Sequence, residues 1–275
     1  MRFHMISAAA LAFAAATPAL AQDAGEEPMT AEAPAEESSS PITVTGGVTL
    51  TSDYRFRGLT QTDEGPAVQG TLTVAHESGL YVGAFASNID DDVSLPGFGN
   101  VEIDAYGGFA KTFDNGLGVD IGLLYYWYAD AEENVNTDFF EPYAAITYTL
   151  GPVATKLGAA YAWSGQDGLP NPLGEEGDSN FYGYFDASVG IPTTPVTLKG
   201  HVGYTDGSLG TYNLEPLDHT YWDWSVGAEA VGGPFKVGVS YVDTDITDFA
   251  IPGVGRFDQV TGRGSTVLGY VGFAF

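Results

Sequence analysis

Residues 117–129, Leu117-Gly118-Val119-Asp120-Ile121-Gly122-Leu123-Leu124-Tyr125-Tyr126-Trp127-Tyr128-Ala129, alternate with a period of two. Leu117, Val119, Ile121, Leu123, Tyr125 and Trp127 share one parity; Gly118, Asp120, Gly122, Tyr126 and Tyr128 mostly fill the other. Successive strand residues point to opposite faces, so one face of this segment is greasy and the other polar. The pattern recurs. Val153, Leu157, Ala159, Tyr161 and Trp163 oppose Lys156 and Gly158. Val196, Leu198, Val202 and Tyr204 oppose Thr197, Lys199, His201 and Thr205. Phe235, Val237, Val239 and Tyr241 oppose Lys236, Gly238 and Ser240.

From Ile42 to the last residue this texture predicts twelve strands, near 42–57, 66–77, 80–90, 101–113, 117–129, 138–150, 153–163, 180–191, 195–206, 221–231, 235–245 and 265–275. The connections alternate in length. Ser78-Gly79, Asp114-Asn115-Gly116, Gly151-Pro152, Pro192-Thr193-Thr194 and Gly232-Gly233-Pro234 are tight-turn sequences, in which Gly supplies positive φ and Pro fixes φ. Segments 58–65, 91–100, 130–137, 164–179, 207–220 and 246–264 are longer. Five short turns at one end and six long loops at the other are what a transmembrane up-and-down antiparallel β-barrel requires, with both termini at the short-turn end. A soluble β-sandwich also alternates. The aromatics at strand ends (Tyr54, Phe56, Tyr125, Trp127, Tyr161, Trp163, Trp222, Trp224) favour the barrel, where they would sit at headgroup level. So does the apolar final strand, Val267, Gly269, Val271, Phe273 and Phe275, a liability in water.

The first residues read as an export signal. Arg2 precedes an apolar run, Ile6 to Ala16, and Pro18-Ala19-Leu20-Ala21 offers a small-x-small cleavage site, predicting a signal peptide over 1–21. Residues 22–41 read as a disordered acidic linker rich in Pro and Ser, and 42–275 as the barrel. Nowhere else do about 18 apolar residues run together, but that test is blind to barrels.

The chain carries 9 Lys+Arg against 36 Asp+Glu, a net charge of −27, which argues against nucleic acid as a partner. It has no cysteine, so disulfides and thiolate metal sites are excluded. No Gly-x-Ser-x-Gly elbow, paired-His motif or P-loop is present, and neither enzyme activity nor a cofactor is expected. Asp243-x-Asp245-x-x-Asp248 lacks the glycine and final Glu of a calcium loop, so no metal site is expected. The alternative to a channel is a barrel hydrolase, in which His201 or His219 would pair with a serine or aspartate, or a closed structural or adhesive barrel.

By parity Arg55, Arg57, Lys156, Lys199 and Lys236 face the lumen, with Asp53, Glu102, Asp104, Asp120, Glu141, Asp186, Asp223, Glu229 and His201. Charges inside a barrel persist only where water or a partner meets them. Opposed rows would form a selective eyelet; the same rows could instead be a plug of salt bridges. The loop acids Asp90-Asp91-Asp92, Asp130, Glu132, Glu133, Glu175, Glu176, Asp178, Asp243, Asp245 and Asp248 read as a solvated outer rim, or as cation-bridging sites to lipopolysaccharide phosphates.

One stretch carries a resemblance. Ser52-Asp53-Tyr54-Arg55-Phe56-Arg57-Gly58, Gln61-Thr62-Asp63 and Pro66-Ala67-Val68-Gln69-Gly70 resemble the TorF-type porins of proteobacteria, formerly grouped as conserved proteins of unknown function. The similarity continues through His76-Glu77-Ser78-Gly79-Leu80-Tyr81-Val82-Gly83, Ser87-Asn88 and Glu102-Ile103-Asp104-Ala105-Tyr106-Gly107-Gly108, covering residues 46–110. It departs at the acidic linker and at the loop 246–264. The resemblance implies an outer-membrane channel-like barrel for small solutes in a Gram-negative bacterium. The expected partners are membrane lipid, lipopolysaccharide, and the barrel-assembly machinery reading the strand that ends in Phe275.

Overall fold

A computed structural model describes residues 40–133, 135, 137–166, 168–169, 179–210, 219–246, 250–251, 255–256 and 262–275. The proposed signal peptide and nearly all of the linker lie outside the described residues, as do Glu175, Glu176, Asp178 and Asp248.

Twelve antiparallel strands close into one barrel. They are β1 (Ile42–Thr51), β2 (Ala67–His76), β3 (Leu80–Asn88), β4 (Val101–Thr112), β5 (Gly118–Tyr128), β6 (Phe139–Leu150), β7 (Val153–Ala162), β8 (Asn180–Gly190), β9 (Val196–Gly207), β10 (Thr220–Gly232), β11 (Phe235–Thr244) and β12 (Thr266–Ala274). Each pairs with its neighbours in sequence, and β1 pairs with β12 to close the cylinder. The fold class and strand count read from the sequence are those observed.

The surface is inside out relative to a soluble protein. Val48, Val82, Ile121, Leu157, Val226, Phe235 and Val267 are 53–66% exposed, on outward parity. Strands of about eleven residues, tilted by about 40°, rise about 25–30 Å, the height of a bilayer's apolar layer. An apolar band of that height demands lipid around it. Trp127, Tyr161, Trp163 and Trp222 are exposed at the long-loop ends of their strands. No helix among the described residues is long and apolar enough to cross a membrane, which bears only on helices.

Inside, tyrosines fill space opposite glycines. Tyr106 faces Gly83, Tyr143 faces Gly122, Tyr184 faces Gly158 and Tyr270 faces Gly238, each pair in direct cross-strand register. A Cβ on Gly158 would lie 2.3 Å from Tyr184 Cζ, so the ring lies flat on the neighbouring backbone only because that residue lacks a side chain. These glycines therefore act as sockets for lumen tyrosines.

One expectation fails. β1 ends at Thr51, not near residue 57. Residues 52–66 leave the wall and fold into the barrel. Arg57 has φ +52° and Gly58 φ +80°, which turn the chain within a two-residue ribbon pairing Arg55–Phe56 with Leu59–Thr60. Tyr54, expected at headgroup level, is 1% exposed. Phe56, expected there too, packs edge-on against the lumen ring of Tyr126 at 5.8 Å.

Candidate functional site: the lumen constriction

The inward segment reaches across the lumen and meets seven strands. Its Tyr54 ring packs edge-on against Phe85 of β3 at 5.9 Å, and its hydroxyl donates to Glu102 of β4 at 2.5 Å. Phe56 meets β5. Arg57 Nη2 donates to both carboxylate oxygens of Glu141 on β6, each at 2.7 Å. The Arg57 guanidinium lies 4.3 Å from the ring centre of Tyr182 on β8 and 4.6 Å from that of Phe56. Tyr221 on β10 donates to the Arg57 carbonyl at 3.0 Å. Gly58 presses on Asp223 of β10 and Thr244 of β11, where a Cβ would stand 2.6 Å from the threonine methyl.

Why the segment holds this shape follows from Asp53. Its Oδ2 accepts from Arg55 Nε at 2.6 Å, and its Oδ1 accepts from the hydroxyls of Thr60 (2.6 Å) and Thr62 (3.2 Å). Arg55 Nη1 donates to the carbonyls of Gly58 and Gly262. One carboxylate thus knots both arms of the ribbon, and one arginine ties it to the last loop. Arg55 and Arg57 are 0% and 2% exposed, and Glu102, Asp104, Glu141, Tyr126 and Tyr182 are equally enclosed. The interior is filled at this level.

Towards the short-turn end the wall carries a second network. His201 Nδ1 bonds Asp186 Oδ1 at 2.5 Å, and its Nε2 bonds Asp223 Oδ1 at 3.0 Å. Tyr182, which also stacks on Arg57, lies within 3.0 Å of the same Nε2. Lys199 Nζ stands 3.2 Å from Glu229, which accepts from Tyr270 at 2.8 Å. Lys156 Nζ lies 5.3 Å from the ring centre of Tyr184. Tyr81 donates to Asp120 at 2.6 Å and also bonds Tyr143. Lys236 leans its stem on Gly272.

Sequence parity named Arg55, Arg57, Asp53, Glu102, Asp104, Asp120, Lys156, Asp186, Lys199, His201, Glu229 and Lys236. All point inward, but Asp53, Arg55 and Arg57 do so from the folded-in segment, not from a wall strand. The parity of Asp53-Tyr54-Arg55-Phe56-Arg57 mimics a strand, which is why the expectation placed them there. Sequence reasoning gave Tyr54 the wrong place and missed the cross-lumen pairing of Arg57 with Glu141. Gly58, which permits a positive φ, and the turn-forming residues Asp63-Glu64-Gly65 are the signals that the sequence carries.

His201 has both ring nitrogens occupied by carboxylates, and a serine-activating base needs one free. His219 is exposed. Several of the described rim acids hold backbone. Asp90 Oδ2 accepts from Val93 and Ser94 N–H, Asp91 Oδ1 from Gly97 and Gly99, and Asp130 Oδ1 from Asn100 and Val101. Asp245 accepts from Trp222 N–H at 2.7 Å. This structural use was not anticipated. No group of three or more His, Cys, Asp or Glu among the described residues is arranged to hold a metal ion.

A closed twelve-stranded barrel with an apolar exterior and an ionisable interior defines a class, the membrane β-barrels. Within it, the chain belongs to the family described as "bacterial protein of unknown function (Gcw_chp)", matched over residues 35–271. No curated protein matches it. Among solved structures it is similar to the KdgM porin in complex with disordered oligogalacturonate (TM-score 0.52, 7% identity, 85% of this chain and 99% of that one). It is similar to the same extent to the NanC porin (TM-score 0.52, 11% identity, 85% and 99%). At these identities the likeness concerns fold.

Proposed function

We propose that this protein is an outer-membrane channel of the TorF type, passing small solutes passively, with residues 52–66 as its constriction. The carrying observation is the filled level itself. A charged segment crosses a polar lumen inside a lipid-facing cylinder and is held on the far wall by the ion pair Arg57–Glu141, beside the neutral or backbone contacts of Tyr54, Arg55 and Tyr221. A purely structural barrel has no call for a buried cross-lumen charge pair, since an apolar filling would do as well or better. Fifteen residues tethered at both ends can move within a fixed wall, as gating loops do on microsecond to millisecond timescales. The porin likeness in fold is consistent with this reading, as is an exposed apolar C-terminal strand, which would present Phe275 to the assembly machinery.

The test is planar-bilayer recording of the refolded chain. Wild type should show small or infrequent conductance steps. The double variant Arg57→Ala/Glu141→Ala, which removes the pin without stranding a charge, should show larger or more frequent ones. Folded, heat-modifiable barrel with no current in either form would end the channel reading.

A further inference from the structure

We infer that the lumen selects cations, so that small inorganic cations and amine-bearing solutes are the favoured cargo; this rests on the channel reading above. The reason lies in an imbalance of partners rather than in total charge. The lumen cations are engaged: Arg55 by Asp53, Arg57 by Glu141, Lys199 by Glu229, His201 by two aspartates, and Lys156 by the ring of Tyr184. Several carboxylate oxygens are not. Both oxygens of Asp104 are buried without a hydrogen-bond donor, and so are Oδ2 of Asp120, whose other oxygen accepts from Tyr81, and Oδ2 of Asp186, whose other oxygen meets His201. Asp104 and Asp120 are only 1% and 3% exposed.

These acceptors stand at different depths on three strands. Asp104 lies in the outer half of β4, just below Glu102 and the inward segment. Asp186 lies past the middle of β8, and Asp120 lies near the short-turn end of β5. A buried carboxylate oxygen without a donor is costly, by several times the worth of an ordinary hydrogen bond. Each therefore favours a positive partner. When the constriction opens and water enters, a passing cation meets such an oxygen above, at and below the midpoint. Attraction spread over several weak sites lets an ion enter without being trapped. An anion meets the opposite: its natural hosts Arg55, Arg57, Lys156 and Lys199 are already occupied. Arg57 keeps two buried N–H groups, Nε and Nη1, without acceptors, but they lie between two rings and its charge is matched by Glu141.

Reversal potentials in a KCl gradient test this without any variant. Potassium should be preferred over chloride by about threefold or more, in the sense that rings of Asp and Glu bias a pore. The isosteric changes Asp104→Asn and Asp120→Asn should together move the ratio towards one. An equal or anion-favouring ratio in wild type overturns the inference while leaving a channel standing; it would make Arg57 the reading residue instead. If folded barrel gives no current, the channel reading fails and the carboxylates are judged by binding. Potassium, but not an equal concentration of tetraethylammonium, should then raise the temperature of the folded-to-unfolded gel shift, and the double Asn variant should lose that difference. Equal effects of the two salts, or a difference that survives the variant, would overturn it.

Discussion

The outer and inner halves of this lumen are filled by different means. The outer half is filled by chain: residues 52–66 enter from a loop, with Tyr54, Arg55 and Arg57 buried against the wall. From mid-strand inward the lumen is filled by side chains rooted in the wall, with Tyr106, Tyr143, Tyr184 and Tyr270 at the top of this layer, each seated on a glycine of a neighbouring strand. Wall-rooted filling can change only by rotamer, whereas a tethered segment can leave as a unit. The first design stiffens a cylinder; the second makes an obstruction that is removable. The cost of removability is a buried charge, which must be met by a charge on the far side.

The comparison breaks most readily at Glu141. Glu141→Ala should strand the buried Arg57 and cost about 3–5 kcal/mol in urea unfolding of the refolded barrel, as loss of one partner from a buried pair does. It should also raise conductance. A loss below about 1 kcal/mol would show that the pair is already wet and the segment already loose. The inner half answers differently to Gly158→Val. The added methyls collide with the Tyr184 ring, and overpacking of this kind costs about 1–3 kcal/mol; current through the outer constriction should stay as in wild type. If conductance rises here too, the two halves move together and the contrast is lost.

Tyr54→Phe sharpens the outer half further. It removes the hydroxyl that Glu102 accepts from and should cost about 1–3 kcal/mol, with more frequent opening in bilayer recordings. The smallest effect is expected at Asp63, on the exposed shoulder of the segment. Its carboxyl is held above the usual range by partial loss of solvent, then by Asp90 and Asp53. A raised folded value means that the folded chain holds the proton more tightly than the unfolded one, so stability falls as pH rises through it. Asp63→Asn should therefore gain slightly at pH 7 and nothing at pH 3, read from the temperature of the gel shift. A loss at pH 7 would reveal an unrecognised partner for the carboxylate.

The wall was legible and its filling was not, for one physical reason. Strand parity is a local property, so residues 117–129 or 235–245 declare their two faces without reference to anything distant. Turn chemistry is equally local, and Ser78-Gly79 and Asp114-Asn115-Gly116 marked the ends correctly. The tyrosine sockets depend on register between strands, which parity does not specify. The inward segment depends on Glu141, far along the chain, and its own alternation of Tyr54, Arg55, Phe56 and Arg57 imitates a strand while obeying turn dihedrals. Inward direction was thus readable for Arg55 and Arg57, but the element that carries them was not.

The seam between β1 and β12 is the narrowest join in the cylinder. Five residue pairs, Gly47↔Ala274 to Thr51↔Tyr270, connect it, against ten between β1 and β2. It is finished by reciprocal backbone bonds between Gly46 and Phe275, both at 2.9 Å. The first and last strands of the wall therefore meet only when every hairpin between them has been laid down, which makes ring closure the last and slowest pairing to form. Amide protons along this join should be the first of the wall to exchange with solvent deuterium.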